Sequence, residues 1–278
     1  MALRRYFMCF RMSLRQRRCT ICQSLYNAAP CSSRCAFFLT IQIVPMADKP
    51  VIYLLPGLLC DRDVWQYQAR ALADACEVRI PDYRGVDSLS AMAAQILAEA
   101  PPRFVVAGHS MGGRVGLELI HSAPQRISHL ILLSVGAHAV TDEECEQRSS
   151  LVEEAASIGM DRYAASWADL MLGYRDKDNP AVRRIIETMA RRQDLDDFIA
   201  HITAGLGRAD QAKYLPDITI PVLLVVGEKD TWSPVSQHQD IQRLIPAATL
   251  AVVPDAGHMV PLDQPDIVSQ LIVDWLRF

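Results

Sequence analysis

The sequence predicts an α/β domain with a mostly parallel, doubly wound sheet, and three patterns carry that prediction. From Val51 onward, short β-branched or apolar runs alternate with segments of helical spacing, joined by turns rich in Gly, Pro and Asp. The strand-like runs are nearly continuous in apolar residues, as strands covered by helices on both faces require. The alternation breaks once, between about residues 140 and 215, where only amphipathic segments occur; because the sheet pattern resumes at Ile220, these predict a helical cap inserted between two strands.

In chain order, the predicted strands are 51–55, 77–81, 103–107, 127–133, 221–226 and 249–253. Helical spacing predicts helices over 63–74, 88–100, 111–122, 234–245 and 264–276, and four cap helices over 143–157, 161–172, 181–192 and 195–206. No internal repeat or low-complexity linker divides them.

The chain has 278 residues, half of them apolar, enough to bury a large core. No stretch reaches the roughly 18 consecutive apolar residues of a membrane-spanning helix, so a soluble, cytoplasmic protein with no membrane partner is expected. Residues 1–45 hold seven arginines and no acidic residue; since the whole chain carries −4, residues 46–278 carry −11. So acidic a body repels phosphate backbones, which argues against a nucleic-acid partner.

The same 45 residues contain five of the eight cysteines, Cys9, Cys19, Cys22, Cys31 and Cys35. Their C-x2-C and C-x3-C spacings admit a zinc knuckle, but no histidine accompanies them and nothing nearby would form a core. The arginine-rich, acid-free composition also resembles a transit peptide, without a sustained amphipathic period. The reading adopted is a non-core extension over residues 1–45, with Met46 as the functional first residue and one domain over 46–278. Cys60, Cys76 and Cys145 are too few to make that domain a disulfide scaffold.

Gly108-His109-Ser110-Met111-Gly112 lies between a predicted strand and a predicted helix, the context that makes G-x-S-x-G a nucleophile elbow. Serine on so sharp a turn occupies a strained backbone, and side chains at positions 108 and 112 would collide with the neighbouring strand and helix. Asp230 falls just past the end of a predicted strand, and His258 follows Gly257 in the loop after the last one. Both therefore sit at the edge where open α/β sheets gather catalytic groups. Asp255 and Asp263 compete with Asp230 for the acid position.

GHSMGG with these flanks resembles the α/β-hydrolase superfamily, and the resemblance spans essentially residues 50–278. The run Pro221 to Asp230 resembles the family's late strand ending in an acid, and Asp255-Ala256-Gly257-His258 its histidine loop. The chain order Ser, Asp, His is that of this fold. The resemblance implies the α/β-hydrolase fold and a triad of Ser110, Asp230 and His258. Leu55-Pro56-Gly57-Leu58-Leu59 resembles the oxyanion loop, with Pro56 where His is commoner, and implies Leu58 and Met111 as backbone oxyanion donors. Asp82-Tyr83-Arg84-Gly85 resembles the family's D-x-R-G turn, where an Asp/Arg pair would hold the loop.

Arg114, one helical turn after Ser110, reads as a surface or capping residue or, as in related C–C lyases and hydrolases, as a carboxylate holder. In the cap, Trp167, Leu170, Met171 and Leu172 are packing residues first; Trp167 and Met171 are, with Arg114, the candidate substrate contacts. The expected function is a serine hydrolase taking a small-molecule acyl substrate (ester, lactone or thioester) through an acyl-enzyme, with no cofactor and no metal. Two alternatives stand beside it: a C–C bond hydrolase or lyase on an anionic substrate, and a ligand-sensing protein of this fold without turnover.

Overall fold

The six apolar runs form one parallel sheet in the computed structural model, which describes residues 49–172 and 179–277. Its strands are β1 (Val51–Leu55), β2 (Glu77–Arg79), β3 (Phe104–His109), β4 (Ile127–Leu133), β5 (Val222–Gly227) and β6 (Ala248–Val253). Their order across the sheet is β2-β1-β3-β4-β5-β6. The chain thus runs outward from β1 to β2, then returns to the other side of β1 and continues to β6. The crevice at such a reversal, at the carboxyl ends of the strands, is where open α/β sheets hold ligands. Pairing of Leu55 with Gly108 sets the loop after β1 beside the turn after β3.

Three helices accompany the first strands: α1 (Gln66–Leu72), α2 (Leu89–Glu99) and α3 (Met111–Ser122). Between β4 and β5 lie α4 (Asp142–Ile158), α5 (Met160–Leu172), α6 (Pro180–Arg191) and α7 (Leu195–Leu206). The chain closes with α8 (Val235–Leu244), α9 (Val260–Asp263) and α10 (Pro265–Leu276). Successive strand residues face opposite sides, and both sides are buried. Ile52, Leu54, Val105 and Ala107 join Val268 and Ile272 of α10 and the cap residues Tyr163, Trp167 and Phe198. Tyr53, Leu55, Phe104 and Val106 join α2, α3 and α8 through Met92, Val115 and Ile241.

Several elements differ from the sequence pattern, among them the short helix α9 and a 3-10 turn at Pro124–Arg126. The predicted helix 63–74 is a 3-10 turn, Arg62–Trp65, followed by α1; Asp61 caps that turn by accepting the Asp63 N–H at 2.9 Å. The predicted strand 77–81 stops at Arg79, two residues before Pro81, which has no N–H to give a ladder. A 3-10 segment, Gln211–Asp217, leads from the cap into β5 with Pro216 inside it.

The predicted extension over 1–45, its five cysteines and Met46 lie outside the described residues. Among the described residues, no helix is long and apolar enough to cross a membrane.

Candidate active site

Between β3 and α3, Ser110 takes φ 53° and ψ −117°, a conformation that costs a side-chain-bearing residue about 1–3 kcal/mol and persists only where its surroundings enforce it. One enforcing contact is backbone on backbone: a Cβ on Gly112 would overlap the carbonyl of Leu55, so glycine is what lets the elbow sit against β1. The hydroxyl of Ser110 then stands 2.9 Å from Nε2 of His258. On the other side of the ring, Nδ1 is 3.1 Å from each carboxylate oxygen of Asp230. A carboxylate only accepts, so Nδ1 carries the proton and Nε2 is free to accept from the serine.

Asp230 is buried, and Oδ1 accepts the N–H groups of Trp232 and Ser233 at 2.9 Å each. Burial works against its charge; the neighbouring His258 and the Ser233 N–H outweigh it and hold the carboxyl below its ordinary value. The competing acids stand elsewhere. Asp255 pairs with Lys229 at 2.8 Å and is largely exposed. Asp263 accepts the Gly257 N–H at 2.8 Å, bracing the backbone one residue before His258.

The loop after β1 reaches the nucleophile directly. A Cβ on Gly57 would lie 3.2 Å from Ser110 Cβ and 3.0 Å from His109 Nδ1. The turn closes through the Cys60 N–H to the Gly57 carbonyl at 3.2 Å, with Leu59 in the left-handed region at φ 52°. That closure leaves the Leu58 N–H unused in the turn. Met111 heads α3, where the first N–H groups have no intrahelical acceptor. Leu58, Met111 and Ser110 line the same cavity. The D-x-R-G turn forms through Arg84 Nε to Asp82 at 2.9 Å, with Gly85 at φ 71°.

The cavity, about 790 Å³, lies between the sheet edge and the cap and is lined by Ser110, His258, Trp167 and Met171. Arg114 lines it too and donates to the His138 carbonyl at 3.3 Å. Two arginines that the sequence did not single out stand in the same wall, Arg148 of α4 and Arg208 after α7. Glu144 is bidentate to Arg208 and 3.8 Å from Arg148. Burial, then repulsion from Arg208, pushes the Arg114 guanidinium down to about 9. Three guanidinium groups thus gather around one carboxylate, Glu144, in a wall that also holds Glu143 and Asp169. The Arg148 guanidinium lies 4.8 Å over the Trp232 ring, and its Nη1 is buried without a hydrogen-bond partner among the described residues.

Trp232 was also missed. Its ring stands 5.9 Å from the His258 imidazole and 6.0 Å from Trp167. Its place two residues after Asp230 was the available signal. For Arg148 and Arg208 there was none, since only the folding of the cap brings them to Arg114. Among the described residues, no cluster of three or more His, Cys, Asp or Glu is arranged to hold a metal ion.

The model of the Alpha/beta hydrolase family matches residues 52–271, and the chain belongs to that family. A thermophilic esterase from Thermogutta terrifontis, solved with malate bound, is similar in fold with a TM-score of 0.73 and 27% sequence identity, over 83% of this chain and 90% of that one. The enol-lactonase from Burkholderia xenovorans LB400 shares the fold with a TM-score of 0.74 at 23% identity, over 84% and 93% of the two chains. A Bacillus subtilis (strain 168) protein named "Putative 2-succinyl-6-hydroxy-2,4-cyclohexadiene-1-carboxylate synthase" is 26% identical over 176 residues, which are 61% of this chain. The match spans 64% of the length of that relative.

Proposed function

We propose that this chain is a serine hydrolase that cleaves a small carboxylic ester, lactone or thioester through an acyl-enzyme. The observation that carries the reading is the unbroken series Ser110 Oγ, His258 Nε2, His258 Nδ1, Asp230, with steps of 2.9 and 3.1 Å. In this reading Ser110 attacks the carbonyl as Nε2 takes its proton, and Asp230 holds the ring and stabilises the imidazolium. The carbonyl oxygen becomes an oxyanion received by the N–H groups of Leu58 and Met111. His258 returns the proton to the leaving alcohol or thiol, then accepts one from water, which releases the acid and frees Ser110. No cofactor enters these steps; the partner is a small acyl substrate, and a cytoplasmic location belongs to the same reading.

A fluorophosphonate probe tests this. It should label the wild type at Ser110 and leave Ser110→Ala unlabelled with an unchanged fold, and p-nitrophenyl esters from acetate to decanoate should be hydrolysed in a chain-length-dependent way. An unlabelled wild type, or a turning-over Ser110→Ala, would overturn it.

One observation favours a second reading, a C–C hydrolase or lyase acting on an anionic substrate. The gathering of Arg114, Arg148 and Arg208 around the single carboxylate of Glu144, with Arg148 Nη1 unpartnered among the described residues, suits a substrate carboxylate, and the Thermogutta esterase was solved with malate, a dicarboxylate. A wild type that is labelled by the probe, leaves esters intact and cleaves a vinylogous diketone acid would establish this reading over the first.

A further inference from the structure

We infer that the corner between α6 and α7 of the cap is a latch on the oxyanion loop, and that Gln193, assisted by Arg192, is a positioning residue for transition-state stabilisation. The inference rests on the serine-hydrolase reading for its chemistry and on the contacts below for its geometry.

The corner is rigid by its own hydrogen bonds. Arg192 and Gln193 continue the turn beyond α6 through N–H bonds to Met189 and Ala190. Asp194 then opens α7 with a capping box, its carboxylate accepting the Asp197 N–H at 2.8 Å while Asp197 accepts the Asp194 N–H at 3.3 Å. From this corner two side chains reach the segment after β1. Gln193, only 5% exposed, donates Nε2–H to the Cys60 carbonyl at 3.1 Å. Arg192 Nη1 donates to Asp61 Oδ2 at 2.9 Å and to Asp63 Oδ2 at 2.6 Å. Asp61 is free to take it because only Oδ1 is used in capping the 3-10 turn.

What these contacts grip is the strained part of the loop. Leu59, fully buried, sits at φ 52°, a conformation that leucine adopts only when held there. On one side of it is Leu58, whose N–H the hydrolase reading assigns to the oxyanion; on the other the Cys60 carbonyl accepts from the cap. Rotation of Leu59 toward an ordinary conformation would swing both. Gln193 fixes the second and thereby aims the first. The Gln193 bond is buried, whereas Arg192 is half exposed, so Gln193 carries more of the effect. The cap therefore does more than choose the substrate.

Gln193→Met keeps the volume and removes the donor. With the best p-nitrophenyl ester, kcat should fall about tenfold while KM stays within about twofold, as expected when an interaction specific to the transition state is lost. A boronic acid that forms a tetrahedral adduct on Ser110 should weaken in parallel with kcat/KM. Arg192→Ala should show a smaller fall that Arg192→Lys restores, and Arg191→Ala, on the same corner but turned to Glu187, should leave kcat unchanged. Amide hydrogen exchange over residues 57–63 should speed up in Gln193→Met and not in Arg191→Ala, a readout that needs no activity. Unchanged kcat and exchange in Gln193→Met, or a rise in KM without loss of boronate affinity, would overturn the latch. An unlabelled wild type with the exchange effect present would overturn the hydrolase reading and the catalytic role drawn from it, and leave the contact itself established.

Discussion

The imidazole of His109 donates its Nε2–H to the backbone carbonyl of His258 across 2.8 Å. The residue before the proposed nucleophile thus holds the loop of the proposed base, with the two rings 5.3 Å apart. Burial, then repulsion from His258, pushes His109 down to about 3, so it offers a directed N–H without adding a charge beside Ser110. His109→Leu should lower stability by about 1 kcal/mol, the usual net worth of one such bond, and kcat with it. His109→Gln, which retains a donor, should recover most of both; equal damage from the two variants in thermal melts and turnover would show that the ring's shape matters and the bond does not.

Acid should weaken the fold over a defined range. Burial also lowers His201 and His238, and Nε2 of His238 accepts the Val135 N–H at 3.1 Å, which requires the neutral ring. Such groups are neutral when folded and protonate on unfolding once the pH drops below their ordinary value of 6.5. The unfolded chain then binds more protons, so stability falls as pH is lowered from 6.5 toward the folded value, by about 2 kcal/mol near pH 5 for His109 alone. Asp230, held low, acts in the same sense below its ordinary 3.8. Melting temperatures flat from about pH 7.5 to about pH 5 would contradict this.

Asp230 and Asp263 are both buried carboxylates near His258, yet they should fail differently. Asp230→Asn should leave a folded protein with a misdirected imidazole and kcat reduced on the order of 10³- to 10⁴-fold. Asp263→Asn loosens the Gly257 N–H contact and should cost stability first, with a far smaller loss of turnover. Asp255→Asn, at the exposed pair with Lys229, should cost least. Kinetics and melts on the three variants rank them.

The cavity wall should divide charge recognition from size recognition. Arg148→Met should raise KM about tenfold for an ester bearing a carboxylate, the loss of one charge-assisted contact, and leave a neutral ester nearly unaffected. Met171→Ala, on α5 and in the same cavity, should shift chain-length preference instead. If both esters lose affinity equally in Arg148→Met, the arginine is packing Trp232 rather than recognising substrate.

Much of the fold was legible because its strands are buried on both faces. The runs at 51–55 and 127–133 coincide with β1 and β4. At the sheet's edges the pattern thins: β2 is three residues long and β6 leaves Val252 44% exposed, so the ends were less well marked. The elbow was legible because close backbone approach demands glycine at fixed spacing. The cavity wall was not, because Arg114, Arg148 and Arg208 come from one sheet helix and two cap segments, and no period in the chain relates them. Gln193 was invisible for the same reason: its partner, Cys60, is 133 residues away.

The three proposed catalytic groups are also unevenly spaced along the chain. His258 is 28 residues from Asp230 but 148 from Ser110. As flexible loops, the longer closure costs about 1.5 kcal/mol more. Asp230 and His258, carried by adjacent strands, form the local pair, and Ser110 must meet them across most of the body. In refolding from denaturant, labelling of Ser110 should therefore return later than the secondary structure, as a clock for the docking of the first half of the sheet onto the second.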